Sequence, residues 1–499
     1  MFDIQEQNQN DKDITLKATH GMGWIYLSFG LGKGLNLITI SILAHILTPQ
    51  DFGIVALATL AIDYLTIIND LGLGAALIQR QQNVEEAANS VFTLNLIAGS
   101  ILTLITFATA PFVASFFRTP LVTPILRWLG LSFLIGSVGS THNVRLQRDM
   151  NFKQKIVPEI GNSLIKAIIS IGMALTGFGV WALVIGQLVG VLATTILLWI
   201  VYPWRPHLLL DPSLVKDLFK YGISVMGVNA ISSIQDNFDY LLIGRFYNAS
   251  ALGVYTLAYK LPQLLVINVL WVMTAVLFPT FASIQDKLDT LRRGFLTVVR
   301  YVELIVVPVC FGMFIAANPI IQTVFGEQWL GAIPLLRILS IYALTISIGF
   351  HIGDVYKAIG RPDILLKVAL PVFLMRLIAL WIGAQFSLTG VAFGHLVAGL
   401  IELIIRMAIA FTILKITVFE LLKELKAFVA GGILFLSAIL ALALTNVQPP
   451  ITQLISVTVA GACGYLLTIW FIERDSLREA YELFGNKRKD TMEKEQIAN

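Results

Sequence analysis

The sequence predicts an all-α integral membrane protein of 14 transmembrane helices, built as two parallel six-helix repeats plus two extra C-terminal helices. Three observations carry that reading. Apolar side chains make up 57% of the 499 residues and charged ones only 13%, against about 25% charged in a soluble domain. A soluble core could not hide this much apolar surface, because surface-to-volume scaling leaves too much of it in water. Apolar runs of roughly 20 residues, the length that crosses the hydrocarbon as a helix, recur along the whole chain. Finally, Ile156–Gly179 carries Lys166 near its middle, and Leu365–Phe386, 210 residues on, carries Arg376 at the matching place. The same offset takes Thr123–Arg127 onto Ile333–Arg337, and one further residue takes Gly179-Val180 onto Gly390-Val391.

In chain order the expected spans are 22–46, 52–78, 88–111, 121–143, 156–178, 180–202, 219–243, 251–279, 295–316, 332–356, 364–386, 389–411, 427–445 and 451–472. Leu47–Asp51 reads as a breaker in which Pro49 ends the first helix and Phe52-Gly53 opens the second. Orientation follows from lysine and arginine in the loops. With a cytoplasmic N-terminus the inner loops and tails hold 25 of the 35 Lys and Arg, and the outer loops hold only Arg118 and Arg245. Both termini are therefore expected in the cytoplasm, which an even number of spans requires. The polar start MFDIQEQNQNDKD lacks the basic region of a signal peptide and reads as a short tail.

The repeat then sets the expected domains: a tail (1–21), an N-lobe of helices 1–6 (22–202), a cytoplasmic linker (203–218), a C-lobe of helices 7–12 (219–411), extra helices 13 and 14 (412–473) and a second tail (474–499). Six spans per copy insert both copies the same way round, a recurring transporter plan with the substrate path at the lobe interface. Helices 13 and 14, free of charge up to Trp470, read as lipid-facing additions.

Ionisable groups inside a bilayer cost ~3 kcal/mol each, so the eight in-span cations cannot all face lipid. Arg127 and Arg337 lie near helix ends and can snorkel to the headgroups, which makes them secondary candidates for a site. Arg300 and Arg406 also lie near ends, and Glu402 and Arg406 are spaced for an i,i+4 ion pair. Lys33, Lys166, Lys260 and Arg376 sit deeper and are the candidates for lining a cationic substrate cavity, with structural ion pairs as the alternative. Lys33 lies among Gly30, Gly32 and Gly34, which suggests a bend or a close helix contact. The spacing is not that of a P-loop. Asp63, Asp70, Asp236 and Asp239 either neutralise the lysines or bind a coupling proton or Na⁺; the sequence leaves both open.

Little points to an enzyme. The six histidines are scattered without a zinc-binding pair, and no GxSxG elbow occurs. Cys310 and Cys463 lie in apolar runs and read as small buried hydrophobes. The expected outer loops are mostly too short to build a catalytic site. No cofactor and no metal site is expected, and the small net charge of +4 gives no nucleic-acid footprint.

Several strings are family-like: Leu277–Asp286 (LFPTFASIQD), Val324–Trp329 (VFGEQW) with Ile333-Pro334, Phe52-Gly53, Asp70-Leu71-Gly72 and Ile78-Gln79-Arg80. Taken alone, VFGEQW is an outer-surface turn with an interfacial Trp329. Together the strings resemble the Wzx-type polysaccharide exporters, the lipid-linked oligosaccharide flippases of the MOP superfamily, most closely the colanic-acid-exporter-like branch. That resemblance implies a V-shaped two-lobe transporter in the bacterial inner membrane. It would move undecaprenyl-diphosphate-linked oligosaccharide from the cytoplasmic to the periplasmic leaflet by alternating access, coupled to H⁺ or Na⁺. Its partners would be that lipid-linked oligosaccharide, membrane lipids and polysaccharide polymerase machinery. A MATE-like drug or small-cation antiporter, which shares the twelve-helix double lobe, is the alternative. Deep charges that are mostly positive disfavour it.

Overall fold

The computed structural model describes residues 30–70 and 72–472, with side chains at 68–70, 213, 217–232, 362 and 366 excepted. The expected tails 1–21 and 474–499 lie outside the described residues. Contacts divide the chain into two units, Met1–Thr256 and Leu257–Asn499. Among the described residues, 12 helices are long and apolar enough to cross a membrane, and α1 (Gly30–Ile46) is a shorter apolar helix beside them.

The first unit follows α1 with α2 (Pro49–Asp70), α3 (Leu73–Gln79), α4 (Val84–Phe116), α5 (Val122–Arg148), α6 (Phe152–Leu175), α7 (Val180–Val201), α8 (Pro212–Phe246) and the first turns of α9 (Ala249–Pro262). Pro49 opens α2 rather than ending α1, contrary to the sequence reading. The reason is local: Thr48 caps α2, its Oγ1 accepting from the Asp51 amide (3.3 Å) while Asp51 Oδ2 accepts from the Thr48 amide (2.9 Å). Reciprocal caps of this kind leave the first helical position to proline, whose missing N–H costs nothing there. The expected second span is cut at Gly72, whose φ of 65° is left-handed and favours glycine.

Small and hydroxyl residues let the helices approach closely, as is usual where lipid offers no hydrophobic drive. Thr103 Oγ1 donates across to the Gly130 carbonyl (3.0 Å), and Thr195 Oγ1 to the Ile135 carbonyl (3.0 Å). Residues 203–211 are extended and strapped to α4, with the His207 amide donating to Asn89 Oδ1 (2.8 Å) and the Leu209 amide to Thr93 Oγ1 (3.2 Å). Buried His142 stacks on Trp199, with ring centroids 4.7 Å apart, and anchors the start of that strap. Helix α8 begins at Pro212, inside the segment expected as linker.

The second unit continues α9 through a π-helical turn (Gln263–Ile267) into α10 (Asn268–Ser283), then α11 (Leu288–Ile315) and the short α12 (Ala317–Ile320). It ends with α13 (Ala332–Phe350), α14 (Ile352–Ala358), α15 (Pro362–Phe386), α16 (Leu388–Leu414), α17 (Val418–Glu424), α18 (Ala427–Leu444) and α19 (Pro450–Ile472). Its core joins Phe281, Phe295, Tyr356 and Leu414. The VFGEQW string is a turn, but Trp329 is fully buried, which corrects the reading of an interfacial tryptophan. Gly326, at φ 102° and ψ 164°, holds a backbone shape open to glycine and turns the ring inward. Helix α18 packs on α11, where Gly431 makes room for Phe311 and Val307, and Tyr465 of α19 donates to the Leu304 carbonyl (2.9 Å). Their other faces are exposed, as at Leu440 and Leu466. Cys310 is buried as expected, whereas Cys463 is exposed.

Candidate functional site

Lys33 and Lys166 come together. They line one cavity of about 290 Å³ between α1 and α6, with Gly32, Asn36, Thr39, Glu159, Asn162 and Ser163 completing its wall. The chain makes the cavity from two polar stripes at helical spacing. Glu159, Asn162, Ser163 and Lys166 recur every three or four residues on α6, and Gly32, Lys33, Asn36 and Thr39 do so on α1. Gly30 and Gly34 face open space and Gly32 is loosely opposite Ser163 Oγ at 3.8 Å. The glycines therefore leave room for the cavity, and the expected close contact is not found there.

Helix α7 fixes the α6 side from behind. Asn162 Nδ2 donates to Thr194 Oγ1 (2.7 Å), and Gly190 lies where an added Cβ would stand 2.9 Å from Asn162 Oδ1 and 3.2 Å from Lys166 Cβ. That seat admits only glycine without pushing Lys166 aside. Both lysines are half-buried. The acid of the cavity, Glu159, is loosely paired with Lys155 (3.9 Å). Two ammonium groups and two side-chain amides around a small space present donors that suit a multiply charged oxyanion, while the hydroxyls of Thr39 and Ser163 donate to carbonyls of their own helices. At the lower edge of the roughly 300–1,000 Å³ of small-molecule sites, the cavity fits a headgroup rather than a whole oligosaccharide.

Arg376 has another environment. It is buried on α15 and donates to Glu402 Oε2 (2.7 Å), while Arg406 reaches Glu402 Oε1 (2.5 Å). The sequence reading saw the Glu402–Arg406 pair and missed Arg376 as its third member. Close packing brings the two helices into reach: an added Cβ on Gly383 or Gly390 would collide with the other's carbonyl. One carboxylate shared by two guanidiniums predicts an asymmetry. Glu402→Ala should destabilise the protein by about 3–5 kcal/mol because it strands two cations. Arg376→Met leaves Glu402 paired with Arg406 and should cost clearly less, as thermal unfolding of the purified variants will read.

Lys260 is half-buried in the last turn of α9, just before the π-helical turn. Arg127 and Arg337 are both exposed: Arg127 Nε donates to the Phe107 carbonyl (3.3 Å), and Arg337 lies 6.0 Å from the centre of the Phe314 ring. Among the carboxylates, Asp63 and Asp236 are exposed, and the side chain of Asp70 lies outside the described residues. Asp239 is buried and accepts a 2.6 Å hydrogen bond from the Tyr255 hydroxyl. The sequence reading passed over Glu303, fully buried on α11, whose Oε1 accepts from Ser347 Oγ (2.7 Å) and whose Oε2 has no partner. A lone acid in the apolar run 295–316 was the available sign. No three metal-ligating side chains come together among the described residues.

Helical throughout among the described residues, with twelve helices long and apolar enough to span, the chain is a multi-pass membrane protein. A family model described as "Polysaccharide biosynthesis protein" matches residues 42–334, more than half of the chain, and the protein belongs to that family. Teichuronic acid biosynthesis protein TuaB of Bacillus subtilis is 29% identical over 467 residues, covering 91% of this chain and 96% of its own. Succinoglycan biosynthesis transport protein ExoT of Rhizobium meliloti is 27% identical, covering 93% and 95%. In fold, the chain is similar to the lipid II flippase MurJ, with a TM-score of 0.71 over 92% of this chain and 100% of that one at 15% identity. It is also similar to an inward-facing multidrug resistance MATE family transporter of the MOP superfamily, with a TM-score of 0.62 over 78% and 94% at 18% identity. At such identities the likeness is one of fold alone.

Proposed function

We propose that the protein is a flippase that moves an undecaprenyl-diphosphate-linked oligosaccharide from the cytoplasmic to the outer leaflet of a bacterial cytoplasmic membrane by alternating access. The observation that carries this is the cavity holding Lys33 and Lys166, in a chain whose family is described as one of polysaccharide biosynthesis. A diphosphate is the charged feature common to such lipid-linked substrates, and the donors of α1 and α6 match it while leaving the sugar outside. In this reading the chain spans the membrane 14 times with both termini cytoplasmic, as the distribution of Lys and Arg supports. The helix starts at Pro49 and Ala249 and the ends of α4 and α8 then face outward. Asp63, exposed on α2, is the carboxylate placed to take a coupling H⁺ or Na⁺, and Lys260 is a further cation for the translocation path.

The test is reconstitution in proteoliposomes with a fluorescent polyprenyl-diphosphate oligosaccharide, scored by protection from a membrane-impermeant quencher. Wild type is expected to protect the label, and an imposed pH or Na⁺ gradient to change the rate. Failure to flip with or without a gradient, together with gradient-driven efflux of a cationic dye, would replace this reading with the MATE-like antiporter.

A further inference from the structure

We infer that the first unit carries a binding site for an anionic phospholipid of the outer leaflet, separate from the cavity of Lys33 and Lys166. The inference rests on the orientation in the reading above. Positive charge is nearly stripped from the outer loops, and the two exceptions there are Arg118 and Arg245. Arg245 lies against Phe116, and Arg118 follows Phe117 in the chain; both phenylalanines line one apolar groove. The groove has a volume of about 520 Å³ and runs between α2, α4, α5 and α8, lined among others by Tyr64, Leu65, Phe112, Phe116 and Leu241.

Arg245, in the last turn of α8, places its guanidinium 5.3 Å from the centre of the Phe116 ring. Arg118 follows Phe117, another lining residue. Its left-handed backbone (φ 53°) is pinned by its own amide on the Ser115 carbonyl (3.1 Å) and by Thr119 on the Ala114 carbonyl (2.9 Å). Arg127, by contrast, is held against α4 at Phe107, beyond the deep end of the groove. Asp51, on the same side, has its carboxylate engaged by Thr48.

Length decides what fits. Between Thr109 and Phe117 the groove follows α4 for about 12 Å, close to the roughly 15 Å of one leaflet's hydrocarbon. Its apolar wall takes an acyl chain from the surface to mid-depth. Arginines at a mouth supply the fork that phosphate prefers, and their position at headgroup level costs little. Phe112, 74% exposed, gives the chain one open side through which to exchange with the bilayer.

The full-length protein in nanodiscs, doped with phosphatidylglycerol or phosphatidylcholine spin-labelled near the chain end, gives the test by electron paramagnetic resonance. At equal mole fraction, wild type should immobilise several-fold more phosphatidylglycerol than phosphatidylcholine. The excess should vanish in Arg118→Gln/Arg245→Gln. It should also vanish in Thr109→Trp, which fills the groove and leaves the arginines; thermal unfolding confirms that both variants fold. Equal immobilisation of the two lipids by wild type overturns the site. So does an excess that the arginine variant loses and the filled groove keeps, since that is surface charge alone. Displacement by an unlabelled polyprenyl diphosphate but not by excess unlabelled phosphatidylglycerol overturns the choice of phospholipid and assigns the groove to the transported lipid. Because immobilisation is read without translocation, its failure leaves the flippase reading to its own assay.

Discussion

Lys33→Ala/Lys166→Ala should yield a folded protein that flips the lipid-linked substrate at least a hundredfold more slowly than wild type at limiting substrate. Each ammonium-to-phosphate contact in a half-buried site is worth about 1.5–3 kcal/mol, which is roughly ten- to hundredfold per lysine. Stability should not follow. Two cations share one cavity wall with a single acid, Glu159, that already has Lys155 as a neighbour. Removing like charges from a common space relieves their mutual repulsion, so the unfolding temperature is expected to change little. Lys166→Arg keeps the charge with a bulkier fork and should recover part of the rate. Gly190→Val gives an independent check, because it displaces Lys166 and Asn162 without touching any charge. It should slow flipping while both lysines are still present. If the double alanine variant flips normally, the lysines serve to hold α1 and α6 apart, and the substrate's charge is met elsewhere.

Much of the architecture was legible in the sequence because lipid leaves few choices. Every backbone group must be bonded within a helix, so apolar run length alone marks the spans. Run length does not mark their interruptions. Gly72 and the break at His351 lie inside runs read as continuous, since a left-handed glycine or a one-residue step does not alter composition. Of the four deep cations, sequence placed Lys33 and Lys166 as candidates but could not pair them; the pairing lies in two polar stripes whose helices meet only in three dimensions. Matching places in the sequence did not mean matching environments. Lys166 and Arg376 are 210 residues apart at matching places, yet one lines a cavity and the other is buried against Glu402. The difference comes from the opposite helix: α16 supplies Glu402, and α7 supplies Gly190 and Thr194 in its place.

Gly53→Val and Gly253→Val should each cut flipping below a tenth of wild type, by forcing apart two helix starts that touch backbone to backbone. The two sites are 200 residues apart and occupy the same position in their helices, five residues after the caps Thr48 and Asn248. An added Cβ on Gly53 would fall inside the Ala249 carbonyl, and one on Gly253 inside the Pro49 carbonyl. Neither obstacle is a flexible side chain, so the helices themselves must part by about 1–2 Å before normal van der Waals separation returns. Overpacking of this kind typically costs about 1–3 kcal/mol. If the alternating access proposed above opens and closes this packing, that cost falls on one state of the cycle. The reciprocal geometry adds a sharper test. Once one methyl has separated α2 from α9, the second finds its space already open, so Gly53→Ala/Gly253→Ala should cost clearly less than the two single variants added together. Gly172→Ala and Gly312→Ala, which meet nothing within 4 Å, should stabilise their helices by about 0.5–1 kcal/mol. Additive losses at Gly53 and Gly253 would mean that each glycine acts within its own helix and that the shared contact carries no energy.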